Sequence, residues 1–138
     1  MSNNRNASPD IPAPEFTLHR LRELRRGLLH LHQVLLDTER AAYEQVYGRV
    51  SSGELLQLVI NHEQFAWLHS ISELIVHIDE LLDADEPAGT GDAESLLTQA
   101  RMLLKPLETG DDFERKYYAA LQRQPSVVLA HREVTRIL

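Results

Sequence analysis

The sequence predicts an all-α fold: a helical bundle built on a long antiparallel αα-hairpin, with two shorter, Pro-interrupted helical elements packed on it. Apolar residues recur at helical spacing along most of residues 17–138, and no stretch sustains the apolar–polar alternation of a half-buried strand. Apart from Gly27 and Gly53, the prolines and glycines of residues 17–138 fall between the periodic stretches, where turns are expected. A chain of 138 residues is long enough for one domain with one hydrophobic core.

Residues 1–16 are predicted to form a disordered tail, and residues 17–138 a single helical-bundle domain. The tail is polar and contains three prolines, so it offers little apolar surface to bury. It has no apolar segment typical of a secretory signal, and no run in the chain is apolar enough for a membrane helix. The chain has no cysteine, which excludes disulfides and thiolate chemistry and fits a reducing compartment. We therefore expect a soluble, cytoplasmic protein.

The hairpin is predicted from two long helices joined by a short turn. The first helix is expected over residues 17–47, with Thr17 as the N-cap, or Pro14 as a rival first helical residue, and with Gly48 as the residue that ends it. Ser51 and Glu54 have the spacing of a capping box, so a second helix is expected over residues 52–83. Because only a few residues separate the two helices, they should pack antiparallel.

Two shorter elements are predicted to complete the bundle. After a linker at residues 84–91, a third helix is expected over residues 92–105, ended or kinked by Pro106. Asp111 can cap a fourth helix, which Pro125 should break. The remaining segment reaches the C-terminus either as a separate helix or as a continuation of the fourth helix after a kink.

Charge is distributed unevenly along the chain, whose net charge is −7. Residues 51–100 contain ten acidic side chains and no Lys or Arg, whereas the segments on both sides are weakly basic. The antiparallel hairpin should place a basic cluster beside an acidic one, namely Arg20, Arg22, Arg25 and Arg26 beside Asp79, Glu80 and Asp83. Since the acids would cancel the field that a polyanion needs, we expect no nucleic-acid partner, and we expect no membrane partner.

Histidines and carboxylates recur along the predicted hairpin on one face of each helix. The candidates for metal ligands are His32, Glu39, His62, His69 and Glu73. Convergence of imidazole and carboxylate inside a bundle could hold a divalent transition metal. However, the paired Glu-x-x-His motif of ferritin-like di-iron bundles is missing, and a hydrogen-bonded arrangement, such as His32 with Glu73, would also satisfy these groups. No catalytic residue is assigned and no cofactor is expected, because the chain lacks a phosphate-binding glycine loop and a Gly-x-Ser-x-Gly motif.

The second predicted helix has two apolar faces, which indicates several neighbours or another subunit. A first helix of roughly 46 Å is also too long to be covered by a third helix of roughly 21 Å. Unless the segment after Pro125 covers the remainder, an apolar patch stays exposed. The sequence therefore favours a non-enzymatic, self-associating protein-interaction module, such as a homodimer through the second helix. The alternative is a His/carboxylate metal-binding four-helix-type bundle.

Overall fold

The computed structural model describes residues 15–84 and 90–138, and these form an all-α bundle as predicted. The helices are α1 (Glu15–Tyr47), α2 (Ser52–Asn61), a 3₁₀ helix (Glu63–Leu68), α3 (His69–Leu82), α4 (Thr90–Leu103), α5 (Asp112–Arg123) and α6 (Pro125–Ile137). The predicted tail lies outside the described residues except for Glu15 and Phe16, which are helical, and so does most of the predicted linker. In the described part of the chain, no helix is long and apolar enough to cross a membrane.

Helix α1 carries the apolar stripe on which the bundle is built. Five of its leucines alternate at spacings of three and four residues, which places them on one face. All five are fully buried: Leu21, Leu24, Leu28, Leu31 and Leu35. Helices α3, α4 and α6 and the 3₁₀ helix all pack against α1. The stripe ends at Leu35, so the last twelve residues of α1, 36–47, contribute no buried side chain.

Helices α1 and α6 form the most extensive helix pair, and Gly27 allows their close approach. A Cβ atom added at Gly27 would lie 3.0 Å from Cγ2 of Val134, which is fully buried. Towards the start of α1, the Arg20 guanidinium donates to the Ile137 carbonyl, with Nη2 at 3.1 Å. Helix α6 therefore covers the N-terminal half of α1 and leaves its C-terminal third without this neighbour.

Helices α1 and α3 pack antiparallel, with α2 and the 3₁₀ helix between them in the chain. Arg25 forms an ion pair with Asp79, and His32 lies opposite Ser72, so residue numbers rise along one helix as they fall along the other. Arg22, Arg26 and Asp83 line a groove of about 440 Å³ around the same ion pair, as the charge pattern predicts. Arg20 differs from the prediction, because it hydrogen-bonds α6 instead of the acidic cluster.

The prediction of one continuous helix over residues 52–83 is wrong. The helix stops at Asn61, and His62 adopts an extended conformation with φ −90° and ψ 136°. The 3₁₀ helix then leads into α3. No proline or glycine causes this break; side-chain hydrogen bonds from more distant residues replace the interrupted helical ones, as described below.

Several other predicted helix ends agree with the structure, although α1 begins at Glu15, two residues before the predicted start. Gly48 has φ +92°, the left-handed conformation that favours glycine, and α1 ends directly before it. Ser51 with Glu54 and Asp111 with Glu114 both form complete capping boxes. Helix α4 begins two residues before the predicted Asp92 and ends before Pro106. Pro125 is the first residue of a separate α6, where its missing N–H costs no helical hydrogen bond.

Substitution of Gly27 tests the close packing of α1 on α6. Gly27→Ala gains about 1 kcal/mol of helix propensity, but it forces Cβ against the buried Val134, and such overpacking costs about 1–3 kcal/mol. We expect a net loss of stability of up to about 2 kcal/mol, measured by urea unfolding. In a Val134→Ala background the clash is removed, and the same substitution should stabilise the protein. Stabilisation by Gly27→Ala in both backgrounds would contradict this packing.

Candidate interaction surface

The five residues that the sequence suggested as metal ligands lie in separate environments. Across residues 15–84 and 90–138, no three His, Asp or Glu side chains lie together in a way that could hold a metal ion. Glu39, His62, His69 and His32 each contact a protein group, and Glu73 is exposed. Glu39, His62 and His69 form hydrogen bonds at the joint between α2 and α3, which comprises residues 62–68.

Glu39 is the polar anchor of this joint. Its Oε2 atom accepts a hydrogen bond from Trp67 Nε1 at 3.0 Å, and its Oε1 atom accepts one from Gln64 Nε2 at 3.0 Å. Gln64 also donates to the Glu39 backbone carbonyl at 3.2 Å. Because Trp67 is only 5% exposed, its indole N–H needs this partner. One carboxylate on α1 thereby positions the 3₁₀ helix.

His62 and His69 support the two chain ends that the helix break leaves open. His62 Nδ1 accepts from the Gln64 N–H at 3.1 Å and caps the start of the 3₁₀ helix, which places the imidazole proton on Nε2. His69 Nε2 lies 2.8 Å from the Val59 carbonyl oxygen, which can only accept, so His69 donates here. The carbonyl of Val59 thus gains a partner at the end of α2, where helical partners are missing.

The other two candidates do not form the suggested pair. His32 is half-buried, and its Nε2 atom lies 3.5 Å from Ser72 Oγ. Burial lowers the pKa of His32, and the nearby His69 lowers it further when it is charged. Glu73 is exposed and lines an open groove of about 500 Å³ together with His77 and Met102.

A buried polar pair between α5 and α6 was missed by the sequence reasoning. Tyr117 is fully buried and stacks on Phe113, with ring centroids 5.4 Å apart. Its hydroxyl lies 2.6 Å from His131 Nδ1. Burial raises the pKa of Tyr117 and lowers that of His131, so the tyrosine hydroxyl keeps its proton and donates a hydrogen bond to Nδ1 of the neutral imidazole. No local spacing could reveal this pair, because the two residues lie on different helices separated by Pro125.

Helix α2 exposes an apolar surface that the break turns away from the core. Its ten residues include five Leu, Ile or Val side chains, yet none of the ten is buried. Leu56 is 58% exposed and Ile60 55% exposed, whereas Leu55, Leu58 and Val59 on the opposite side are half-buried. We define the outer face of α2 as the four exposed residues that share one side of the helix: Gly53, Leu56, Gln57 and Ile60. At the end of α1, Val46 and Tyr47 are also exposed.

Contacts at both ends of α2 hold it in place. Before the helix, the Val50 carbonyl accepts from Arg40 Nη2 at 2.8 Å, and the Val50 N–H donates to Glu44 at 2.9 Å. The hydrogen bond from Val50 lowers the pKa of the Glu44 carboxyl. After the helix, the His62 ring packs edge-on against Tyr43, with centroids 5.4 Å apart. The outer face of α2 is therefore presented by a positioned helix.

Removal of the Glu39 carboxylate should destabilise the joint. Glu39→Ala leaves the buried Trp67 N–H without its acceptor, which costs about 1–3 kcal/mol in urea unfolding. Glu39→Gln keeps an acceptor oxygen and should lose less. Trp67 is the single tryptophan of the chain, so its fluorescence reports the change directly. Glu73→Ala is the matched control at an exposed site and should stay within about 0.5 kcal/mol of the wild type. Equal losses for Glu39→Ala and Glu73→Ala would argue against this role.

The half-buried His32 and His131 predict that stability falls in mildly acidic solution. Because burial lowers the pKa of His32 and His131, the unfolded chain takes up protons at higher pH than the folded chain does. The free energy of unfolding should therefore decrease as the pH falls below about 6.5, the ordinary histidine pKa. Urea midpoints measured between about pH 7.5 and pH 5.5 test this prediction. This range spans the ordinary histidine pKa and stays above the ordinary pKa of carboxylates.

A histidine substitution assigns part of this pH dependence. His131→Gln removes the titrating imidazole and keeps an acceptor for the Tyr117 hydroxyl, so the decrease in stability over this range should become smaller. His30→Gln, at an exposed position on α1, is the matched control and should retain the wild-type decrease. An unchanged pH dependence in His131→Gln would show that His131 does not contribute.

Comparisons of the chain with protein-family models, with curated proteins and with solved structures found no match. What the molecule can do must therefore be inferred from its own residues. Two features stand out at the same end of the bundle: a polar joint that fixes α2, and an apolar outer face on that helix.

Proposed function

We propose that this protein is a non-enzymatic interaction module that self-associates through the outer face of α2. The observation that carries the proposal is that α2, half of whose residues are Leu, Ile or Val, buries none of them. Large exposed apolar surfaces on small proteins mark interaction sites. The end of α1, with Val46 72% and Tyr47 66% exposed, extends this apolar character beyond α2.

The energetics of α2 support an occupant on its outer face. A helix of ten residues, about 15 Å long, is too short to be stable alone in water. Its inner side is only half-buried, so packing within the chain supplies part of its support. Complete burial of a Leu or Ile contributes roughly 1.5–3 kcal/mol, and Leu56 and Ile60 are each more than half exposed. A second copy would cover two such side chains on each side of the interface.

The composition of the surface also favours a protein partner. Glu54 is the only charged residue within α2, and it lies outside the outer face. Interface centres in proteins are depleted of charge and surrounded by polar residues. Homodimers with two-fold symmetry are the most common way to cover such a surface. The partner in this proposal is therefore a second copy of the chain.

Polar substitutions on the outer face should abolish self-association. We expect the wild type to shift from monomer to dimer as its concentration rises through the micromolar range, measured by sedimentation velocity. Leu56→Glu and Ile60→Glu should remain monomeric, because each would place a charge in an apolar interface. Both positions are exposed, so the helical circular dichroism spectrum should be unchanged.

Leu129→Glu provides the matched control, since Leu129 is 62% exposed on α6 rather than on α2. This variant should dimerise as the wild type does. A wild-type protein that stays monomeric at high micromolar concentration contradicts the proposal. Loss of dimer in Leu129→Glu, with dimer retained in Leu56→Glu, would place the interface on α6 instead.

A further inference from the structure

We propose that the two copies pack α2 against α2 in antiparallel orientation, about a two-fold axis that passes beside Leu56 and Gln57. This inference rests on the proposed function and specifies the geometry of that interface. It follows from the order of small, large and charged residues along α2 and at its two ends.

The sizes of the residues on the outer face of α2 favour antiparallel packing. Gly53 and Ile60 lie seven residues apart on the outer face, one near each end of α2. Gly53 is exposed, and a Cβ atom added there would have no heavy atom within 4 Å, so the backbone at this position is bare and has open space above it. Antiparallel packing about the proposed axis puts the partner's Ile60 level with Gly53, so that a large side chain enters the space left by a small one. Parallel packing would set Ile60 against Ile60 and Gly53 against Gly53, which leaves a gap.

The opposite charges at the two ends of α2 favour the same orientation. Arg49 precedes α2 and Glu63 follows it; both are exposed, and neither forms an ion pair with another described residue. Antiparallel packing brings Arg49 towards the partner's Glu63, twice in each dimer. Parallel packing would bring like charges together at both ends. Opposed helix dipoles add a smaller preference in the same direction.

Charge reversal tests the orientation in solution. In the full-length chain, Arg49→Glu and Glu63→Arg should each raise the dimer dissociation constant roughly tenfold at low salt, because two attractive pairs become repulsive. The double variant restores opposite charges and should recover wild-type affinity. Unchanged affinity in both single variants overturns the antiparallel geometry.

The charge-reversal variants and Leu56→Glu together distinguish failure of the proposed interface from failure of the proposed orientation. If Leu56→Glu abolishes the dimer while charge reversal has no effect, α2 is the interface but its orientation differs. If neither kind of variant changes the association, both proposals fail.

Engineered cysteines test the geometry independently, because the native chain contains none. Gly53→Cys and Ile60→Cys chains should each resist disulfide formation alone, since identical positions in an antiparallel pair lie about 10 Å apart along the axis. Mixing the two chains under mild oxidation should yield a crosslinked heterodimer. Crosslinking of each variant with itself, and none on mixing, would establish the parallel arrangement and overturn the inference.

Discussion

The buried leucine stripe of α1 is the constraint on which the rest of the bundle depends. Its five leucines are fully buried and end at Leu35, although α1 continues to Tyr47. Every other helix within residues 15–84 and 90–138 is 14 residues or shorter, so none of these can follow α1 over its whole length. Helix α6 lies along the N-terminal half, where Gly27 permits close contact with Val134. The unequal lengths leave the C-terminal third of α1 to be met by the 3₁₀ helix and by Val50 and His62, the residues on either side of α2.

The joint between α2 and α3 determines what that end of the molecule exposes. Glu39 holds the 3₁₀ helix through Gln64 and Trp67, and His69 supplies the hydrogen bond that the Val59 carbonyl lacks. These contacts stabilise a bend in a segment whose composition is compatible with a straight helix. Because the bend redirects α2, Leu56 and Ile60 point away from the core while Trp67 and Ile71 enter it. By stabilising the bend, the polar residues of the joint help to keep Leu56 and Ile60 exposed on α2.

This arrangement links a stable core to an uncovered helix face. The apolar groups of α2 lie on a helix that is held at both ends, so association with a second copy need not order a flexible segment first. Preorganisation of this kind lowers the entropic cost of binding. In the proposed dimer, Gly53, Ile60, Arg49 and Glu63 would favour the antiparallel orientation of the two copies.

Local sequence signals determined most of the helix ends and the helical class of the fold. Gly48, the two capping boxes and Pro125 act within a few residues of themselves, so their effects can be predicted without knowing the tertiary structure. The antiparallel match of Arg25 with Asp79 could also be predicted, because it follows from the position of one turn. The break at His62, the partners of Glu39 and the pairing of Tyr117 with His131 could not. The last two depend on hydrogen bonds between residues distant in the sequence, and the break is stabilised by the bonds that Glu39 and His69 form around it. Local helix propensity does not encode these contacts, and only tertiary packing brings the groups together.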